Sequence, residues 1–313
     1  MSEPPLHSSD APARRRSRDR ERRRRRLRLG SALAVVACAM VAVGALDGGS
    51  TTKPSGALAH GRPLHAPGGP APRMPAVRLP LRERLLRQEI RTVDAILRRN
   101  AYVSVAGRHR REMALTFDDG PGPYTLGVVR VLRHLDVPAT FFQVGFSEHW
   151  FTDAERAEVR DPHVVIGDHT ENHPDLDRLS AAAQRAQIDE QAAVVRAAGA
   201  PTPRLFRPPY GEFDATTLAL LRHRHMLMIL WTVDSQDYRR PGIAAIVRRV
   251  LSGARPGAIV LMHDAGGIRT QTIAALPRIV RALRRRHFRL VTVPRLLHDD
   301  PPSVHQPRIS GAG

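Results

Sequence analysis

Cysteine is nearly missing from this chain of 313 residues: Cys38 is the only one. No intrachain disulfide can form and no cysteine metal site exists, so an export argument cannot rest on disulfides. Lysine is equally scarce, with Lys53 alone among 49 basic residues. So strong a preference for arginine reads as coding bias rather than recognition chemistry. Aromatic residues make up 4% of the chain. Few rings are therefore available to stack on bases, which counts against a nucleic-acid binder. Carboxylates are outnumbered, 30 to 49, for a formal net charge of +19. Much of that excess is local, because Arg14 to Arg28 holds eleven arginines. Hydrophobic content of 42% is ordinary for a globular protein. The length suits one large domain or two modest ones.

The N-terminus carries the address. Residues 1–28 form a polar, basic segment expected to be disordered and cytoplasmic. Leu29 to Leu46 follows as eighteen residues without a charge, ending at Asp47. A basic block, an apolar run and a polar exit make a membrane anchor or a signal peptide. The run is just long enough to span a bilayer as a helix. Arginines on its N-terminal side would keep that end in the cytoplasm and place the rest outside. Val43-Gly44-Ala45 offers small residues for cleavage, so a cell-membrane enzyme with an extracellular catalytic domain and a secreted one both fit. Residues 47–80, rich in Pro and Gly, read as a linker. Leu81, Leu85, Leu86, Ile90, Val93, Ile96 and Leu97 recur at helical spacing, predicting an amphipathic helix within residues 81–101. Such a helix either packs on the following domain or serves as a stalk.

From residue 102 to 298, apolar runs alternate with helical patterns. Strands are expected at Met113–Phe117, Thr140–Val144, Val164–Ile166, Leu205–Phe206, Met226–Val233, Ala258–Met262 and Phe288–Val293. This alternation predicts an α/β fold with a parallel sheet. The polar residues of interest follow the C-terminal ends of at least five strands, which favours a distorted (β/α) barrel of about seven parallel strands. Residues 299–313 are expected to be a disordered tail.

The chain is organised around Leu115-Thr116-Phe117-Asp118-Asp119-Gly120-Pro121, an apolar strand ending in two adjacent carboxylates. Two such carboxylates repel unless a cation or a shared proton separates their roles. One binding a metal and the other acting as a base resolves the conflict. His169-Thr-Glu-Asn-His173 supplies two imidazoles four residues apart, facing the same way if they share a helical turn. Two His and one carboxylate leave positions open for water and substrate, as a catalytic zinc site requires; other divalent transition metals also suit the set. Phe206-Arg207-Pro208-Pro209-Tyr210-Gly211 fixes a rigid turn that can aim a backbone N–H at an oxyanion, and Arg207 can orient a carboxylate. Trp231-Thr-Val-Asp234-Ser235-Gln-Asp237-Tyr238 and Leu261-Met-His263-Asp264 end two more strands. A histidine beside a carboxylate there is a credible general acid.

Taken in order, TFDDGP, HTENHP, RPPYG, DSQDY and LMHD resemble the five motifs of the polysaccharide deacetylases, the NodB-homology domain of carbohydrate esterase family four. The resemblance covers about Glu112 to Val293. It implies a distorted barrel and metal-dependent removal of acetyl groups from a glycan. By that resemblance Asp118 is the base, Asp119, His169 and His173 hold the metal, and Arg207 orients the base. The Tyr210 N–H joins the oxyanion hole. His263 is the general acid with Asp237 as its partner, and Leu261 lines the acetyl pocket. Trp231 and Tyr238 are expected to meet substrate; the family's usual residue at 238 is Trp. The cofactor implied is a divalent metal, zinc first and cobalt or another transition metal next. The substrate implied is an N-acetylglucosamine polymer, peptidoglycan or chitin-like. A monomeric catalytic domain and no nucleic-acid partner are expected. Two other readings use the same residues: hydrolysis of a small amide, or a catalytically silent, membrane-tethered carbohydrate-binding protein.

Overall fold

The computed structural model describes residues 80–307. The basic block, the apolar run of residues 29–46 and the linker up to residue 79 lie outside the described residues, as do residues 308–313. Among the described residues no helix is long and apolar enough to cross a membrane.

Helix α1 (Leu81–Leu97) opens the domain. The C-terminal half of its apolar stripe packs on the domain: Val93 and Ile96 share a core with Leu296 and Leu297 at the far end of the chain, while Leu81 and Leu85 are exposed. There follow β1 (Tyr102–Val103), β2 (Glu112–Asp118), α2 (Thr125–His134), β3 (Ala139–Gln143), the single turn α3 (Gly145–Glu148), α4 (Thr152–Arg160) and β4 (Val164–Asp168). Next come α5 (Ala181–Ala197), β5 (Leu205–Phe206), α6 (Ala215–His223), β6 (Leu227–Ile229), β7 (Val233–Asp234) and α7 (Ile243–Ser252). The chain closes with β8 (Ala258–His263), α8 (Thr270–Arg285), β9 (Arg289–Leu290) and α9 (Val293–Asp299).

Every strand pair is parallel, in the order β1-β6-β5-β4-β3-β2-β8-β7, with β9 beside the start of β2. The architecture is an α/β half-barrel of eight strands along one path. Its curvature follows from connectivity. Strands β6 and β7 lie towards opposite ends of that order, yet residues 230–232 alone join them, and such a stretch spans at most about 14 Å. The sheet must curl to bring its ends together. Accordingly Leu230 N–H donates to the Val103 carbonyl on β1 (2.7 Å), and Thr232 N–H to the Ile259 carbonyl on β8 (3.0 Å). The single strand expected over Met226–Val233 is thus split where the chain crosses from one edge to the other. The two-residue β1 was not anticipated.

Another expectation is corrected at the C-terminus. The run Phe288–Val293 makes only the short β9, because Thr292 then caps a helix by accepting from Arg295 N–H, and Pro294 suits that helix's first turn. Residues 299–307, expected in the tail, are pinned to the domain. The Gln306 side-chain carbonyl accepts from Ser104 N–H (2.9 Å), and Asn100 donates to the Ser303 carbonyl (2.8 Å).

Strand alternation sorts the side chains. Met113, Leu115 and Phe117 of β2, with Val260 and Met262 of β8, face the core shared with α2, α7 and α8. The alternate positions Ala114, Ile259 and Leu261 face the opposite core, together with Phe142, Phe206 and Trp231. Thr116 and Asp118 fall in the same parity as Ala114. Asp118 and His263 are direct register partners across β2 and β8. Two reactive side chains therefore emerge side by side at the C-terminal rim.

Candidate active site

The site assembles on that rim from the ends of β2, β4, β5 and β8 and the loop after β7. Asp118 is buried at 3% exposure. Its Oδ1 accepts from Arg207 Nη1 at 2.7 Å. Arg207 is no surface arginine: it is fully buried. Its guanidinium also donates to Thr116 Oγ1 (2.7 Å) and to the carbonyls of Ile229 (3.1 Å) and Leu230 (3.3 Å), and it lies 4.1 Å over the Phe142 ring. A buried charge is costly unless paired and hydrogen-bonded, and here both conditions hold. The carbonyls come from the segment where the expected long strand breaks. Burial pushes the Asp118 carboxyl above its ordinary range, against the pull of Arg207.

Asp119 turns the other way, because its backbone is left-handed at φ 75°. Its Oδ1 lies 3.7 Å from His169 Nε2 and 3.3 Å from His173 Nε2. The three residues are the one group of metal-ligating side chains that converges among the described residues, with ligand atoms all within 4.8 Å of one another. The histidines do not share a helical turn. Residues 169–174 are a loop in which Thr170 (φ 70°) and His173 (φ 54°) are left-handed. Asp168 holds Thr170 N–H (2.8 Å), and Thr170 Oγ1 holds His173 N–H (3.0 Å). Among the described residues, four of the nine left-handed non-glycine residues, namely Asp119, Thr170, His173 and Tyr210, sit in this one place. Such strain persists where surrounding structure over-determines it, and its concentration here marks a functional site.

The donor set fits a cation. His169 Nδ1 donates to the Arg207 carbonyl at 2.6 Å, which leaves Nε2 with its lone pair facing Asp119. Burial, aided by the neighbouring His173, pushes the His169 pKa down to about 3, so the ring is neutral, as a ligand must be. Asp119 Oδ1 is buried with no hydrogen-bond partner. An unpartnered buried carboxylate oxygen facing two imidazole nitrogens is what a cation would satisfy.

Opposite this triad, His263 Nδ1 meets Asp237 Oδ1 at 2.8 Å. The second carboxylate oxygen accepts from His263 N–H (2.9 Å) and Thr272 Oγ1 (2.7 Å). Burial alone would lower the imidazole pKa, but the Asp237 carboxylate beside it prevails and raises it to about 9. Burial would likewise raise Asp237, yet His263 and the other donors hold it below the usual carboxylate range. Asp237, from another loop, makes this pair rather than the sequence neighbour Asp264. Asp264 instead points towards Thr125, whose hydroxyl it accepts, while its N–H donates to the Asp118 carbonyl at 3.2 Å.

Across residues 106–228 the chain matches the family model for polysaccharide deacetylase. It is 37% identical over 216 residues to a chitooligosaccharide deacetylase of Rhizobium leguminosarum biovar trifolii, covering 63% of this chain and 100% of that one. It is 31% identical to a peptidoglycan-N-acetylglucosamine deacetylase of Bacillus cereus, covering 62% of this chain and 71% of the relative. This chain belongs to the polysaccharide deacetylase family. A crystallised peptidoglycan N-acetylglucosamine deacetylase superposes with a TM-score of 0.62 at 29% identity, over 64% of this chain and 95% of that one.

The remaining expected residues of this deacetylase domain lie close by, in differing settings. Tyr210 sits in the Pro209–Gly211 turn at φ 62°, its ring edge-on to His173 at 4.7 Å. Tyr238 lies edge-on to His263 at 5.3 Å, and its hydroxyl donates to Asp234 Oδ2 at 3.3 Å. Leu261 is 4% exposed beneath them. Trp231, expected to meet substrate, is 5% exposed and packed against Gly211, with the Arg207 guanidinium 5.7 Å over its ring. Sequence reasoning passed over the supporting hydroxyls Thr116, Thr125 and Thr272. Thr116 and Thr272 have a legible signal only once strand parity and helix placement are known.

Proposed function

We propose that this protein is a divalent-metal-dependent N-deacetylase of N-acetylglucosamine polymers. The observation that carries the reading is the pairing on one rim of a base held by a buried arginine with an acid held by a buried carboxylate, flanking the Asp119-His169-His173 triad. A cation on that triad would polarise the acetamide carbonyl and make a water easier to deprotonate. Asp118 Oδ2 lies on the triad side, 3.8 Å from His169 Nε2, while Oδ1 is occupied by Arg207. It takes the proton of the attacking water. The Tyr210 N–H, aimed by its left-handed turn, donates to the oxyanion. His263 enters the reaction protonated and passes its Nε2 proton to the departing amine, with Asp237 holding Nδ1. Acetate and a glucosamine unit result. Leu261 lines the floor where the acetyl methyl rests.

Zinc is the first choice of metal, because two imidazoles and a carboxylate with open positions suit it; cobalt would serve. Residues 29–46 act as an anchor or export signal and place the domain outside the cell membrane; the arginine block just before them supports this. The catalytically silent reading would need a gap in the acid, base or ligand set, and every position is filled. The decisive experiment is acetate release from N-acetylglucosamine oligomers and from peptidoglycan by the full chain, beside an Asp118→Asn variant. Release by the parent and none by the variant is expected. Metal bound at the triad with no acetate from any glycan would sink the reading in favour of a small amide substrate.

A further inference from the structure

The arginines are not spread evenly over the domain. Helices α2, α7 and α8 contain no Asp or Glu at all. They are neighbours, because α8 packs against both α7 and α2. Together they carry Arg130, Arg133, Arg248, Arg249, Arg278, Arg281, Arg284 and Arg285. Coding bias does not explain this. It acts along the whole chain, yet α1 carries Glu83, Glu89 and Asp94, α4 carries Asp153, Glu155 and Glu158, and α5 carries Asp189 and Glu190. Helix-dipole compensation explains only basic residues in a last turn. Arg130, Arg248, Arg278 and Arg281 lie before the last turns of their helices.

Among the described residues, only Arg133 of this set meets a carboxylate, Asp161. Arg284 is held by the Leu135 and Asp136 carbonyls. Arg130, Arg248, Arg278, Arg281 and Arg285 are exposed. On α8 the positions 278, 281 and 285 follow i, i+3, i+7 and form one stripe. With neighbouring helices roughly 8–10 Å apart, three of them make a basic face about 20 Å across. Helices return antiparallel to the strands, so the arginines near their C-terminal ends sit away from the catalytic rim.

We propose that this arginine-rich face docks a linear phosphodiester polymer other than nucleic acid. Guanidinium forks pair bidentately with phosphate oxygens, and a row of them suits charges repeated along a flexible chain. Among the described residues the exposed large apolar side chains are Leu81, Leu85, Phe146, Trp150, Tyr210, Ile268 and Val304. None lies on these three helices. The face therefore offers nothing to stack on bases and no apolar anchor for a bilayer. Because it lies apart from the catalytic rim, a docked polymer leaves that rim free. The inference is independent of the proposed reaction.

The test uses the full chain and poly(glycerol phosphate) as the probe. One variant carries Arg130→Gln, Arg248→Gln, Arg278→Gln and Arg281→Gln. A control removes equal charge from α1, α5 and the turn after α1, with Arg91→Gln, Arg98→Gln, Arg185→Gln and Arg196→Gln. The Arg14–Arg28 block is common to all three chains. The face variant should bind roughly tenfold more weakly or worse. The slope of log affinity against log salt should drop by about 3, one counterion for most of the removed arginines. The control should hold both within about twofold, and chito-oligomer deacetylation should be the same in all three. Equal losses in face variant and control would overturn the proposal. So would a selective loss of binding to single-stranded DNA or to phosphatidylglycerol vesicles with polymer binding intact.

Discussion

Replacing Asp237 by asparagine removes a charge and keeps the shape. The Asp237 carboxylate is buried and spends both oxygens on His263 and Thr272. Burial by itself drives the imidazole below its ordinary 6.5, and the carboxylate reverses this to about 9. That reversal is worth about 3 kcal/mol in favour of the imidazolium. Asp118 and Asp119 add to it. With a cation against Asp119 that share falls away, and Asp237 carries the effect. The general acid must be protonated, so activity is present below the raised pKa and lost as pH rises through it. At pH 8 a ring titrating near 9 is about nine-tenths protonated, whereas one at 6.5 or below is about 3% protonated. Asp237→Asn should therefore cost up to about 30-fold in kcat/KM at pH 8. The basic limb of the kcat/KM profile for acetate release should move down by more than one pH unit. A Thr272→Val variant loses a hydrogen bond but keeps the charge, and should move that limb far less. An unmoved basic limb in Asp237→Asn would refute the assignment of His263 as the acid.

Other outcomes follow from the same geometry. Arg207→Met strands a buried carboxylate at Asp118; it should cost about 3–5 kcal/mol in denaturant unfolding and abolish acetate release, and a cost under about 1 kcal/mol would contradict the buried pair. A Cβ on Gly266 would sit 2.1 Å from Asp119 Oδ2 on a backbone at φ +68°. Gly266→Ala should thus weaken calorimetric zinc binding at least tenfold while the unfolding transition shifts by only about 1–2 kcal/mol. Stripping the enzyme with a chelator should end activity, and zinc or cobalt should restore it. At a hundredfold excess over Kd the restored metal should add about 2.7 kcal/mol of stability, an increment that His169→Gln should lack.

The sequence by itself determined the strand–helix alternation and the parallel sheet, because apolar runs and helical stripes are local patterns that report local periodicity. It also determined which residue types gather: the motifs end strands, and strand ends in such a sheet share one rim. Chain-local information could not decide how the pieces meet. The split of Met226–Val233 into β6 and β7 depends on carbonyls of Ile229 and Leu230 serving Arg207, and on edges meeting across the curl. The two histidines meet through left-handed residues, not through a helical turn, and that geometry is enforced by Asp168 and Thr170 within a packed loop. Trp231 stands beside its motif in sequence, and curvature packs it beneath the Arg207 guanidinium. The expected strand Phe288–Val293 shrinks to β9 because Thr292 and Pro294 start helix α9 at its end. Which carboxylate serves His263 was settled by distance across the rim, from Asp237 in another loop, while the adjacent Asp264 turned to Thr125. Adjacency in sequence fixes backbone order; strand parity and sheet curvature fix which side chains can touch.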